Sequence, residues 1–145
     1  MKRKLGFLVL GLMVAILLFS TVPIVSSGDY SPMPDLTITS VTVVPGPVQN
    51  WHLVTAWVKN IGDHGADPGF NTLLFLDDGQ SWLILKDYTH PIGIPRGWTV
   101  PVSKLFYLTN DPPERYKCVA VTDFYHELTE IREDNNVGES AYFWA

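Results

Sequence analysis

Between Leu36 and Trp144 apolar and polar residues alternate in short runs, and turn residues interrupt them every ten residues or so. Helical spacing is absent from this stretch, so the pattern predicts strands. Leu36 to Val44 is rich in β-branched residues and stops at Pro45-Gly46-Pro47, which cannot continue a ladder. Trp51 to Lys59 places Val54, Ala56 and Val58 on one face and Leu53, Thr55 and Trp57 on the other. Asn60-Ile61-Gly62 then turns the chain, with Asn suited to bonding its own backbone and Gly to positive φ. Phe70 to Leu76 runs into Asp77-Asp78-Gly79, a hairpin signal, and Trp82 to Leu85 returns. Ile92 to Trp98 reads as a Pro- and Gly-broken connection. Val100 to Leu108, Tyr116 to Thr122 and Val137 to Trp144 complete seven strands, the number a seven-stranded immunoglobulin-like β-sandwich requires.

Ahead of the strands, Lys2, Arg3 and Lys4 precede an apolar run from Leu5 to Phe19, and Val25-Ser26-Ser27 offers small residues at a cleavage position. Two readings stand: a secretory signal cut after Ser27, or a retained hydrophobic helix that anchors the chain in a membrane. Both leave the basic residues in the cytoplasm and export the rest. The expected organisation is residues 1–27 as signal or anchor, 28–34 as linker, and 35–145 as the sandwich.

Residues 1–27 hold three of the ten Lys and Arg and none of the fifteen Asp and Glu. The exported part therefore has seven cations against fifteen anions, a formal charge of −8. Such a surface disfavours nucleic acid and anionic lipid as partners, so membrane contact is expected only through an uncut N-terminal segment. The lone Cys118 has no disulfide partner, and on an alternating strand it reads as a small buried apolar residue.

Three features have candidate chemistry. The first is Asp123 to Glu139, with six acids against the single Arg132. Carboxylates and amides are the hard oxygen donors calcium takes, so Asp123, Glu130, Asp134 and Asn136 are candidate calcium ligands. In the alternative, Asp123 with Asn135 or Asn136 ties the turn to backbone N–H groups, while Glu127, Glu130 and Glu133 face water. The second is Asp63, His64 and Asp67 on one loop, a metal-ligand mixture without the second histidine at i+2 or i+4 that would sharpen it. His52, His90 and His126 are scattered, and no nucleophile elbow, phosphate loop or HExxH motif occurs, so catalysis has no positive signal. The third is aromatic: if Val54, Ala56 and Val58 point inward, Leu53 and Trp57 share an outward patch, a candidate contact for a protein or glycan.

Three stretches resemble the CARDB family, the cell-adhesion-related domain of bacterial and archaeal surface proteins. They are Pro34-Asp35-Leu36, Val58-Lys59-Asn60-Ile61-Gly62, and the hairpin from Tyr116 to Asn136 with the strand that follows. The resemblance implies an all-β sandwich in the cell envelope or outside the cell, and a binding or adhesion module rather than an enzyme. A structural subunit of an envelope complex or surface filament, held by an uncut N-terminal helix, is the other reading. The last strand, ending Ala141-Tyr142-Phe143-Trp144-Ala145, adds the expectation of edge pairing into a homo-oligomer.

Overall fold

The computed structural model describes residues 31–109 and 114–145. The predicted N-terminal helix and the first three residues of the predicted linker, residues 28–34, lie outside these. Residues Pro32–Ala145 form one compact unit, all-β, with no helix among the described residues.

Eight strands run in order: β1 (Leu36–Pro45), β2 (Trp51–Asn60), β3 (Asn71–Asp77), β4 (Trp82–Thr89), β5 (Thr99–Tyr107), β6 (Arg115–Thr122), β7 (Val137–Glu139) and β8 (Phe143–Trp144). One sheet has the order β1-β2-β5, the other β4-β3-β6-β7, and β8 also pairs with β6. All pairings are antiparallel. This is the order of an immunoglobulin-type sandwich whose fourth strand has joined the second sheet. The seven strands read from sequence are all present. An eighth arises because the last one is broken at Ser140–Tyr142. Ser140 bridges the break, its N–H donating to the Cys118 carbonyl (2.8 Å) while its Oγ accepts the Cys118 N–H (2.9 Å). The final edge is therefore two short pieces rather than one long apolar template, which weakens the physical case for strand addition there.

The core lies between the sheets. Leu36, Val54, Ala56, Val58, Phe70, Leu74, Val102, Cys118 and Ala120 are buried in one cluster, each large side chain contributing roughly 1.5–3 kcal/mol by leaving water. In β1 the inward positions slip from Leu36 and Ile38 to Val41, because the register with β2 shifts between Ile38 and Ser40. That bulge lets a strand change phase without turning its apolar side chains into water. Burial pushes the Cys118 thiol up to about 12, so it is packing material and not a nucleophile.

Asn60 and Gly62 close one end of the sandwich. Asn60 Oδ1 accepts the Gly62 N–H (3.0 Å), the local bond its turn position predicts. Gly62 departs from expectation, because it is not among the positive-φ residues. It is needed for space: a Cβ there would stand 2.5 Å from the Asp35 nitrogen and 2.6 Å from the Met33 oxygen. Gly79 does take φ +84°, as the Asp77–Gly79 turn requires.

Candidate functional site: the acidic loop and the outer sheet faces

The loop between β6 and β7 starts from Thr122, whose N–H donates to the Asn136 carbonyl (2.9 Å) and ties the neck. Asp123 adopts φ +45° and His126 φ +55°, and the His126 N–H donates back to the Asp123 carbonyl (3.0 Å). Inside that turn the buried Asp123 carboxylate accepts the N–H groups of Glu127 (2.8 Å) and Leu128 (3.2 Å). Short polar side chains tolerate left-handed backbone and bond locally, which is why Asp stands at the start.

Beyond the turn, the loop is stitched to the start of β1. The Ile131 N–H donates to the Pro34 carbonyl, the Leu36 N–H to Glu130 Oε2 (3.2 Å), and Asn135 Nδ2 to Asp35 Oδ1 (2.7 Å). Glu127 Oε2 accepts the Asn71 N–H (3.1 Å), and so seats the loop on β3 as well.

Of the four predicted calcium ligands, three come together. Asp123, Glu130 and Asn136 are all buried, at 1%, 7% and 4% exposure. Glu130 Oε1 and both amide atoms of Asn136 are buried with no hydrogen bond of ordinary geometry, the two side chains lying against each other, and Asn135 Oδ1 is likewise unbonded. Burial, with Asp123 and Glu133 nearby, pushes the Glu130 carboxyl up to about 7, while the Leu36 N–H and the Asn136 amide pull the other way. The fourth, Asp134, is not part of the group. Its carboxylate is exposed and accepts from Arg132 (3.0 and 3.2 Å). The turn-tying alternative holds for Asp123, but Glu130 faces the interior and Glu127 bonds backbone, so neither simply faces water.

His126, which sequence reasoning had set aside as dispersed, belongs here. Asp123, His126 and Glu133 each bring a ligand atom within 4.8 Å of the others, the one such trio among the described residues. Its signal was spacing: His126 follows Asp123 by three residues and precedes Glu133 by seven. A depression of about 250 Å³ is lined by these three with Asn136, Val121 and Val137. Asp63, His64 and Asp67 form no comparable cluster. Asp63 instead accepts the Met33 N–H (2.9 Å).

Leu53 and Trp57 project from the outer face of the three-stranded sheet, 36% and 39% exposed, while Val54, Ala56 and Val58 are fully buried. A second apolar face was missed. On the outside of the other sheet, Leu73, Phe75 and Val119 form a buried cluster of their own. Trp82, Phe75, Phe124 and Tyr125 extend it as a contiguous string of rings, with centroids 5.5, 5.8 and 5.1 Å apart. Trp82 is 58% exposed and Phe124 41%. The sequence signal was β3 itself, Leu73-Leu74-Phe75-Leu76, apolar on both faces as a strand covered on both sides must be.

The structure thus defines a two-sheet antiparallel sandwich with an acidic, cation-friendly loop at one end and aromatic outer faces. The fold is that of the CARDB domain. Two solved structures of that domain from the PF1109 protein of Pyrococcus furiosus superpose with a TM-score of 0.60. The crystal structure, described as a complex with di-metal ions, is 21% identical and covers 76% of this chain and 92% of its own. The solution NMR structure is 20% identical and covers 75% and 93%. No family model matches the sequence, and no curated protein does.

Proposed function

We propose that this protein is an exported or membrane-tethered, non-enzymatic binding module of the cell surface, adhesion-related in type, that takes a protein or glycan on its aromatic outer faces. The observation that carries this reading is the contiguous ring string Trp82–Phe75–Phe124–Tyr125 on a rigid sheet, since patches of this kind on soluble domains mark contact surfaces. Leu53 and Trp57 provide a second such surface. Two of the buried groups with reactive potential are held inert. Burial brings His90 down to about 4, with Nε2 bonded to Thr72 Oγ1 (2.9 Å), and the Cys118 thiol is driven up.

The acidic loop completes the reading as a cation-stiffened element. Calcium is the ion that Asp123, Glu130 and Asn136 suit, and the fit rests on the partnerless buried oxygens Glu130 Oε1 and Asn136 Oδ1. Heat on titration with calcium, and a lower melting temperature with chelator, are the expected results. A flat titration removes calcium from the account.

Binding is tested by co-sedimentation of the full chain with isolated cell envelopes, comparing Trp82→Ser, Trp57→Ser and the parent. One of the two substitutions should abolish sedimentation with little change in melting temperature. Undiminished binding by both variants would sink the proposal. Mass spectrometry of the mature N-terminus reports whether residues 1–27 persist, and so whether the module is released or tethered.

A further inference from the structure

We propose that Asp123, His126 and Glu133, with the Asn136 amide behind them, form an outer cation position for a divalent first-row transition ion of the zinc class. This rests on reading the loop as one that holds cations, and it adds a second ion of different chemistry to the calcium of that reading.

Two independent observations meet at this position. The first is the trio, whose ligand atoms lie within 4.8 Å of one another. An ion about 2.1 Å from each donor needs donors about 3–4 Å apart, so the loop closes on it by about an ångström. His126 Nδ1 and Glu133 Oε2 are already 3.3 Å apart. The second is Asn136. It is 96% buried, at 4% exposure, lines the same depression, and its Oδ1 has no hydrogen-bond partner. A buried amide oxygen without a bond is costly, and one lining the same depression as a carboxylate–imidazole trio is open to a cation.

The donor set selects the ion. Calcium and magnesium take oxygen, whereas an imidazole nitrogen beside two carboxylates favours zinc and its neighbours. Two carboxylates balance the charge of a divalent ion. The side chains of His126 and Glu133 are 72% and 45% exposed, so the position faces solvent and keeps places for water or for a donor from a bound partner. The site is also organised in advance. The turn bond to the Asp123 carbonyl fixes His126, and two N–H groups orient the Asp123 carboxylate.

The test is titration of the full chain with zinc by calorimetry and with cobalt by visible absorption, beside calcium. His126→Asn keeps a residue that tolerates the left-handed backbone, and Glu133→Gln keeps an acceptor for the Glu130 N–H. Asp134→Asn is the control, since that carboxylate pairs with Arg132. Zinc and cobalt should bind with a nitrogen-donor cobalt spectrum. Each ligand variant should weaken binding about 100-fold or more, and Asp134→Asn should leave it alone. Circular dichroism of the metal-free variants identifies any that has failed to fold, and the other variant then decides. Calcium binding without zinc or cobalt overturns the outer position and leaves the calcium reading standing. Zinc binding unchanged by both His126→Asn and Glu133→Gln also overturns it.

Discussion

Two buried asparagines mark the difference between the finished part of this molecule and the part that waits for something. Asn60, fully buried at the end of β2, uses its whole amide: Oδ1 accepts from the Asp35 and Gly62 N–H groups, and Nδ2 donates to the carbonyls of His64 (2.8 Å) and Ile94 (2.9 Å). Asn136, nearly as buried before β7, has only the Glu130 carboxylate beside its amide, and its Oδ1 has no partner. The same side chain at comparable burial is a structural knot in one place and an open valence in the other. A polar oxygen left unbonded in the interior is destabilising on its own, which is the ground for the cation proposed at this end.

The contrast is sharpest in substitution. Asn60→Leu strips partners from four backbone groups and should cost roughly 4 kcal/mol in urea unfolding, with or without cations. A loss under about 1 kcal/mol would remove Asn60 from its role as knot.

His90 belongs with Asn60 on the finished side, stacked on Phe70 at 4.3 Å and bonded through Nε2 to Thr72. Its folded value, about 4, lies below the ordinary 6.5, so the unfolded chain takes up a proton that the folded chain refuses. Its contribution is therefore complete above about pH 6.5 and is lost as pH falls toward 4, on the order of 3 kcal/mol over that window. His90→Phe should flatten the dependence of unfolding free energy on pH between 4.5 and 6.5. An unchanged slope would contradict the neutral, buried assignment.

On the open side the effects are small. With chelator present, Asn136→Leu should stay within about 1 kcal/mol of the parent, because only the contact with the Glu130 carboxylate is lost and no bond to the backbone. A loss as large as that of Asn60→Leu would mean that Asn136 is bonded after all. Asp134→Asn, at an exposed pair with Arg132, should change stability by less than about 0.5 kcal/mol.

The fold was legible wherever alternation was clean. Val54, Ala56 and Val58 announced the inner face of β2, and Asn60 announced its turn. Legibility failed where a bulge broke the period. In β4 the register with β3 shifts next to Leu85, so the alternation breaks at Leu85 and Lys86, both half-buried, and the strand runs four residues beyond the predicted end at Leu85. The split of the last strand depends on Ser140 bonding Cys118 from across the sheet, which no local pattern encodes.

The site was half legible. Density of acids located the loop, but Glu130 is buried by its bond to Leu36, a neighbour 94 residues away in sequence. His126 went unrecognised because only oxygen donors were sought in the acidic loop, and because its approach to Glu133 exists only after the Asp123 turn has closed. Asp134 stands apart for the opposite reason: Arg132, two residues before it, supplies a nearer partner.

Completion of the Asn136 end of the sandwich by a cation is read out by melting the full chain and its Asn136→Leu variant in chelator, then in calcium, then in zinc. At an ion concentration about 100 times the dissociation constant, the parent should gain on the order of 3 kcal/mol, a rise of several degrees, and the variant should gain much less. A parent whose melting temperature ignores both ions, or a variant that rises as far as the parent, would contradict it.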